Sequence, residues 1–232
     1  MSCLFLCLLY TDVSQSVEDV NRKAEEMKTG LIFDVDGTLW NSSKEVAEAW
    51  NAIFVKYPEY ANPCSKEDFM RVMGKTMTEI KDIFLPNCEK EIQSRIMKEC
   101  EVFEIEYLME HPPVPYAGVV ETLRSLAKSY PLFIVSNCQI GYIDCFLKLS
   151  GLEQEVKDFI CFGDNGFSKG DNIRLLAERN GLDKYYYIGD IQGDLDATRE
   201  AGGEFIYASY GFGEIKERVT AIEKIEDLLQ IF

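Results

Sequence analysis

The chain has 232 residues, among them 40 Asp and Glu, 24 Lys and Arg and one His, for a formal net charge of −16. This balance excludes the basic footprint that duplex nucleic acid needs and the polybasic patch that an anionic membrane attracts. The lone histidine, His111, excludes a multi-histidine metal cage and leaves a Ser–His–Asp triad only that residue to use.

Carboxylates are abundant, so chemistry here points to carboxylates and a metal. Hydrophobic residues at 47% and charged residues at 28% describe a globular chain, large enough for one core or one core plus a small accessory domain. The eight cysteines form no CxxC pair, which suits reduced, mostly buried thiols and a cytoplasmic protein.

Residues 3–10 (CLFLCLLY) are apolar but far short of the roughly 20 residues that span a bilayer. No basic segment or small-residue cleavage site marks a signal peptide. A polar stretch follows, and a compact domain begins near Met27. Residues 1–26 are therefore expected to be an appendage, disordered or the product of an upstream start codon.

Five short apolar runs predict buried parallel strands at residues 31–33, 132–135, 159–162, 185–188 and 205–208. Helical patterns predict helices at 117–130, 140–149, 172–180, 194–201 and 223–231, with Gly181 and Gly202 as C-terminal stops. The alternation predicts an α/β fold: a Rossmann-like, three-layer parallel sheet with helices on both faces. Residues 41–115 break it with four helical patterns, at 43–57, 65–73, 77–84 and 89–110. In the last, Ile92, Ile96, Cys100, Phe103 and Tyr107 recur at helical spacing, and Pro112, Pro113 and Pro115 end it. The expected organisation is a core of residues 27–40 and 116–232, with an all-helical cap of residues 41–115 inserted after the first strand.

The sharpest motif is Asp34-Val35-Asp36-Gly37-Thr38-Leu39, directly after the first strand. Two carboxylates two residues apart can face one reacting centre. Gly37 permits a tight turn whose N–H groups can face an anion. A calcium loop starting at Asp34 is excluded, because its sixth position must be Gly and is Leu39. The second strand ends at Ser136-Asn137, a hydroxyl and an amide able to donate to phosphate oxygens, although a strand-end Ser also caps helices. Ser168 and Asp171 fit a capping box that puts Lys169 in a helix's first turn. A lysine at that positive end makes sense when an anion is shared there. The fourth strand runs into Gly189-Asp190 with Asp194 four residues on, two acids that can share a cation. In a parallel sheet these ends converge, and crowded carboxylates there call for a divalent, oxygen-ligated cation such as Mg²⁺.

In order and spacing these four motifs resemble the haloacid dehalogenase-like superfamily of phosphotransferases, from about Met27 to the C-terminus. The insert resembles its helical type-1 cap. Residues 116–126 (YAGVVETLRSL) and 189–203 (GDIQGDLDATREAGG) are similar to its phosphoglycolate-phosphatase-like branch and β-phosphoglucomutase relatives. Gly170 and Ile191 stand where that branch often has Pro and Thr.

The resemblance implies Asp34 as nucleophile, Asp36 as general acid and base, and Lys169 as the neutralising cation. It implies Thr38 and Ser136, with Asn137, on the phosphoryl oxygens. Mg²⁺ would bind the Asp34 side chain, the Asp36 carbonyl, Asp190 and Asp194. Asp36 favours a phosphatase or mutase, because dehalogenases carry an aromatic residue there and cation pumps a Thr. Lys75, in a cap loop, is expected to reach a substrate's distal group, with a solvated helix-end lysine as the competing reading. Trp40 either lines the site or packs at the cap hinge, and His111 is read as structural or solvated.

The expected activity is Mg²⁺-dependent hydrolysis of small phosphorylated metabolites, phosphoglycolate-like or sugar phosphate monoesters. The expected partners are such metabolites, without nucleic acid or membrane, in a monomer or weak homo-oligomer. A phosphomutase of the β-phosphoglucomutase type is the first alternative. A non-catalytic phospho-acceptor module is the second; receiver domains share an Asp, a hydroxyl and a lysine but lack both a cap insert and the second Asp.

Overall fold

In the computed structural model, residues 27–232 are described; the appendage expected at residues 1–26 lies outside them. The first strand shows how the layers arise. In β1 (Thr29–Phe33), Leu31 and Phe33 enter one hydrophobic cluster and Ile32 another, because successive side chains of a strand face opposite sides. A run buried on both faces must be apolar throughout, and this one is.

The other strands are β2 (Leu132–Ser136), β3 (Val156–Cys161), β4 (Lys184–Gly189), β5 (Glu204–Ala208) and β6 (Thr220–Ile222). All pairings are parallel, in the order β3-β2-β1-β4-β5-β6. The chain therefore runs outward on one side of β1, then returns to β4 on its other side. That reversal opens a crevice at the carboxyl ends of β1 and β4, where ligands bind in open α/β sheets.

Helices α5 (Val119–Leu126) and α6 (Tyr142–Ser150) pack on one face. On the other lie α8 (Lys169–Arg179) and α9 (Gln192–Ala201), whose Ile173, Leu176, Ala197 and Ala201 meet Ile32, Phe133 and Tyr187. A four-residue helix, α7 (Phe162–Asn165), separates β3 from α8 and takes Phe162 out of the expected strand. The expected closing helix is a 3₁₀ turn over Ile225–Gln230. The sequence pattern missed β6: three residues are too short to show a period, and pairing beside β5 defines them.

Between β1 and β2 lie α1 (Ser43–Phe54), α2 (Lys66–Met70), α3 (Met77–Phe84) and α4 (Lys90–Glu110). Capping boxes at Ser65/Asp68 and Thr76/Glu79 satisfy orphan N–H groups and fix where α2 and α3 begin. Trp50, Phe54, Phe69 and Phe84 meet as tilted or edge-on aromatic pairs and give this segment its own apolar centre. The buried face of α4 carries Gln93, Ile96, Met97, Cys100, Glu104 and Leu108, so it is rotated from the expected stripe and includes a carboxyl. The segment leaves and rejoins the sheet side by side, with Trp40 bridged to Pro115 and the Tyr116 N–H donating to the Leu39 carbonyl at 2.9 Å. Among the described residues no helix is long and apolar enough to cross a membrane.

Candidate active site

Asp34 is the first residue past β1, fixed by its own N–H donating to Ile188 O of β4 at 2.9 Å. Gly37 then turns the chain at φ +84°, and a Cβ there would run into the Asp190 carboxylate. The glycine is needed for the close approach as much as for the turn. The N–H groups of Thr38, Leu39 and Trp40 all donate to Val35 O, and that of Gly37 to Trp40 O. These four are spent inside the turn, so they do not supply the anion cradle expected of it.

Three further elements converge on Asp34. Lys169, the first residue of α8, donates from Nζ to Asp34 Oδ1 at 3.0 Å and to Asp194 Oδ1 at 2.6 Å, with all three side chains buried. Ser168 caps that helix by accepting from the Asp171 N–H at 3.1 Å, and its hydroxyl donates to Asp171 Oδ2. The anion that draws a lysine to this helix start is a pair of carboxylates from other elements. Asp194, in the first turn of α9, uses its second oxygen to accept from the N–H groups of Asp190 and Ile191 at 3.0 and 3.1 Å. Asp190 Oδ2 accepts from the Phe212 N–H at 2.7 Å, and its Oδ1 takes a long hydrogen bond of 3.4 Å from Thr38 Oγ1.

Burial of so many acids shifts their protonation. Burial pushes Asp34 up to about 7; Lys169 opposes this, and Asp194 and Asp36 add to it. Burial, then the charges of Asp194 and Asp34, push Asp190 up to about 8. For Lys169 burial works against the charge, yet Asp194 and Asp34 hold it well above the ordinary lysine range. Oxygens of Asp34, Asp190 and Asp194 lie within 4.8 Å of one another. Three buried carboxylates against one lysine leave a deficit of positive charge, and an all-oxygen donor set suits Mg²⁺.

Asp36 faces the helical segment. Its Oδ1 accepts from Tyr142 OH at 2.7 Å, Ser42 Oγ at 2.7 Å and Trp40 Nε1 at 3.1 Å. Burial raises its pKa, and the hydrogen bonds from Ser42, Tyr142 and Trp40 pull it back. Trp40 is fully buried and is not among the residues lining the cavity; of its two expected roles it takes the packing one, its ring edge-on against Tyr142 and Phe146.

A cavity of about 40 Å³ lies between strand ends and helices, lined by Asp34, Asp36 and Ser136 below and by Trp50, Phe69 and Ile80 above. Lys75 lines it from an exposed position. Asn137 lines it as well, and its Nδ2 gives one hydrogen to Gly74 O at 2.8 Å, because the loop after α2 descends onto it. His111 stacks on Tyr107 at 4.1 Å, away from this cavity. The residues the motifs did not disclose are Ser42 and Tyr142 at Asp36, and the buried Glu104 of α4. Glu104 accepts from Trp50 Nε1 at 2.5 Å and Gln139 Nε2 at 2.8 Å. Burial pushes its carboxyl up to about 7, against those two hydrogen bonds. The one available signal was the i, i+4, i+8 alignment of Glu104 with Cys100 and Ile96 on α4.

The profile of the haloacid dehalogenase-like hydrolases matches residues 31–208. A pyrophosphatase PpaX of Listeria innocua is 27% identical over 182 residues, which are 75% of this chain and 79% of that protein. A phosphoglycolate phosphatase of Aquifex aeolicus is 25% identical over 217 residues, 87% of this chain and 95% of that protein. Among solved structures, a haloacid dehalogenase-like family hydrolase from Streptococcus pneumoniae superposes with a TM-score of 0.70 at 20% identity, covering 88% of this chain and 98% of that one.

Proposed function

Since the chain belongs to the haloacid dehalogenase-like hydrolases, we propose that it is a phosphatase of small phosphorylated metabolites, Mg²⁺-dependent and working through an aspartyl-phosphate on Asp34. The observation that carries this reading is the pairing of two buried carboxylates, Asp34 and Asp36, on one cavity, the first held by Lys169 and the second by three hydroxyl and indole donors.

The carboxylate of Asp34 attacks phosphorus in line while Asp36 gives its proton to the departing alkoxide. Asp36, now a carboxylate, takes a proton from water as that water attacks the aspartyl-phosphate, releasing phosphate and restoring Asp34. Lys169 holds Asp34 in place and offsets charge on the phosphoryl group, which Ser136 and Thr38 steady. Asp34, Asp190 and Asp194, with the Asp36 carbonyl, would hold Mg²⁺, which when bound supplies positive charge to the transferring phosphoryl group. Residues 41–115 act as the cap, in keeping with Trp50, Phe69 and Ile80 roofing the cavity.

Small phosphate monoesters are the substrate range, with sugar phosphates and phosphoglycolate-like esters as the reference compounds to compare. A mutase would use the same aspartyl-phosphate but must turn a bisphosphate over inside a site closed to water. The six described cysteines are free thiols, in keeping with a reducing, cytoplasmic setting. The test is phosphate release from an aryl phosphate by the wild-type protein and by Asp34→Asn. Turnover retained in the variant would refute Asp34 as nucleophile. Conversion of β-glucose 1-phosphate without phosphate release would favour the mutase.

A further inference from the structure

The leaving-group side of the cavity is rich in acceptors. Glu104 accepts one hydrogen bond on each oxygen, from Trp50 and from Gln139. A carboxylate oxygen has room for two, so each keeps a free lone pair. Asn137 adds to this. Gly74 O can only accept, so the Asn137 atom bonded to it is the nitrogen, and Oδ1 is left buried without a partner. The Trp50 indole N–H is spent on Glu104, and the Gln139 and Asn137 amide nitrogens each give one of their two hydrogens to an acceptor already. The remaining wall, Val46, Phe69 and Ile80, is apolar. Lys75 is the one cation among the lining residues, and it sits at the exposed rim.

We infer that this cavity takes the phosphate ester of a compact uncharged or cationic alcohol, one that offers hydroxyl or ammonium hydrogens to Glu104 and Asn137 Oδ1, and that it disfavours leaving groups carrying a second anion. The inference rests on the phosphatase reading above and deepens it. A buried acceptor left unpaired by the substrate is costly, and a carboxylate or second phosphate placed against Glu104 is worse, because like charges repel strongly away from water. Glu104 is thus a specificity-determining residue.

Three esters with one two-carbon skeleton test this: 2-hydroxyethyl phosphate, phosphoethanolamine and phosphoglycolate, ending in a hydroxyl, an ammonium and a carboxylate. With Mg²⁺ and the full chain, kcat/KM for the first two should exceed that for phosphoglycolate by about tenfold or more. In Glu104→Gln, which keeps the shape and removes the charge, that preference should shrink to within about threefold. Phosphoglycolate or pyrophosphate turned over as well as the hydroxyl ester by the wild type would overturn the inference and leave the phosphatase reading standing. An unchanged ratio in the variant would overturn the assignment to Glu104. Failure to hydrolyse any ester, a reactive aryl phosphate included, would overturn both. The wild-type ratio needs no variant, so poor folding of Glu104→Gln leaves the test intact.

Discussion

Tyr142 donates its phenolic hydrogen to Oδ1 of Asp36 at 2.7 Å, joining α6 to the turn after β1. The same hydroxyl lies 2.6 Å from Ser42 Oγ, so acid/base residue, cap entrance and core helix share one buried network. Tyr142→Phe removes one of three donors from a carboxylate that must alternate between acid and base. We expect kcat on an aryl phosphate to fall about tenfold, as for loss of one hydrogen bond to a charged group. Unchanged kcat would show that the network orients nothing.

Lys169 is the cation standing between Asp34 and Asp194. Lys169→Met leaves their charges buried and uncompensated, and removal of one partner from such a cluster costs about 3–5 kcal/mol. Urea denaturation in the presence of a chelator should show this loss. Added Mg²⁺ should restore part of it, since a ligand that binds only the folded state stabilises it.

Chelation should silence phosphate release and Mg²⁺ should restore it. Independently of activity, Mg²⁺ should raise the melting temperature of the wild-type protein in a concentration-dependent way. Asp190→Asn should blunt that rise, because it withdraws one of three clustered carboxylates. Metal-independent turnover would remove the cation from the mechanism.

Glu104 titrates against folding. Its ordinary value is 4.5, and burial raises it to about 7 in the folded chain. The unfolded chain therefore loses this proton first. Stability from the protonated form is complete below about pH 4.5 and drains away as pH rises toward 7. That difference between folded and unfolded chain corresponds to about 3 kcal/mol. The advantage of Glu104→Gln over wild type, measured by urea melts, should therefore be larger at pH 8 than at pH 4 by up to that amount. A pH-independent difference would mean that Glu104 keeps one protonation state throughout.

Asp34, Asp36, Asp190 and Asp194 were legible in the sequence because each stands at or just beyond a strand end, and Lys169 because Ser168 and Asp171 mark a helix start. A short apolar run announces the strand, and parallel pairing then carries the ends together. Tyr142, Ser42 and Glu104 were not, because their meetings depend on how helices pack. Glu104 was hidden by its own helix: the stripe through Phe103 and Tyr107 looked like the buried face, whereas packing turned Cys100, Glu104 and Leu108 inward. Asn137 was legible in position, but its contact with Gly74 was not, since Gly74 reaches it from a loop 63 residues earlier.

The neighbouring of β1 and β4 has a consequence for how the molecule comes into being. Leu31 pairs with Tyr186 in register, and about two thirds of the chain lies between them. Such long-range closure must wait for its distant partner and is slow compared with helix formation. On the ribosome, Asp34 stays without Asp190 and Lys169 without Asp194 until the last third of the polypeptide has emerged. Chemical competence is therefore among the last properties the nascent protein acquires, and a chain truncated before residue 189 can carry an ordered-looking cap yet no working centre.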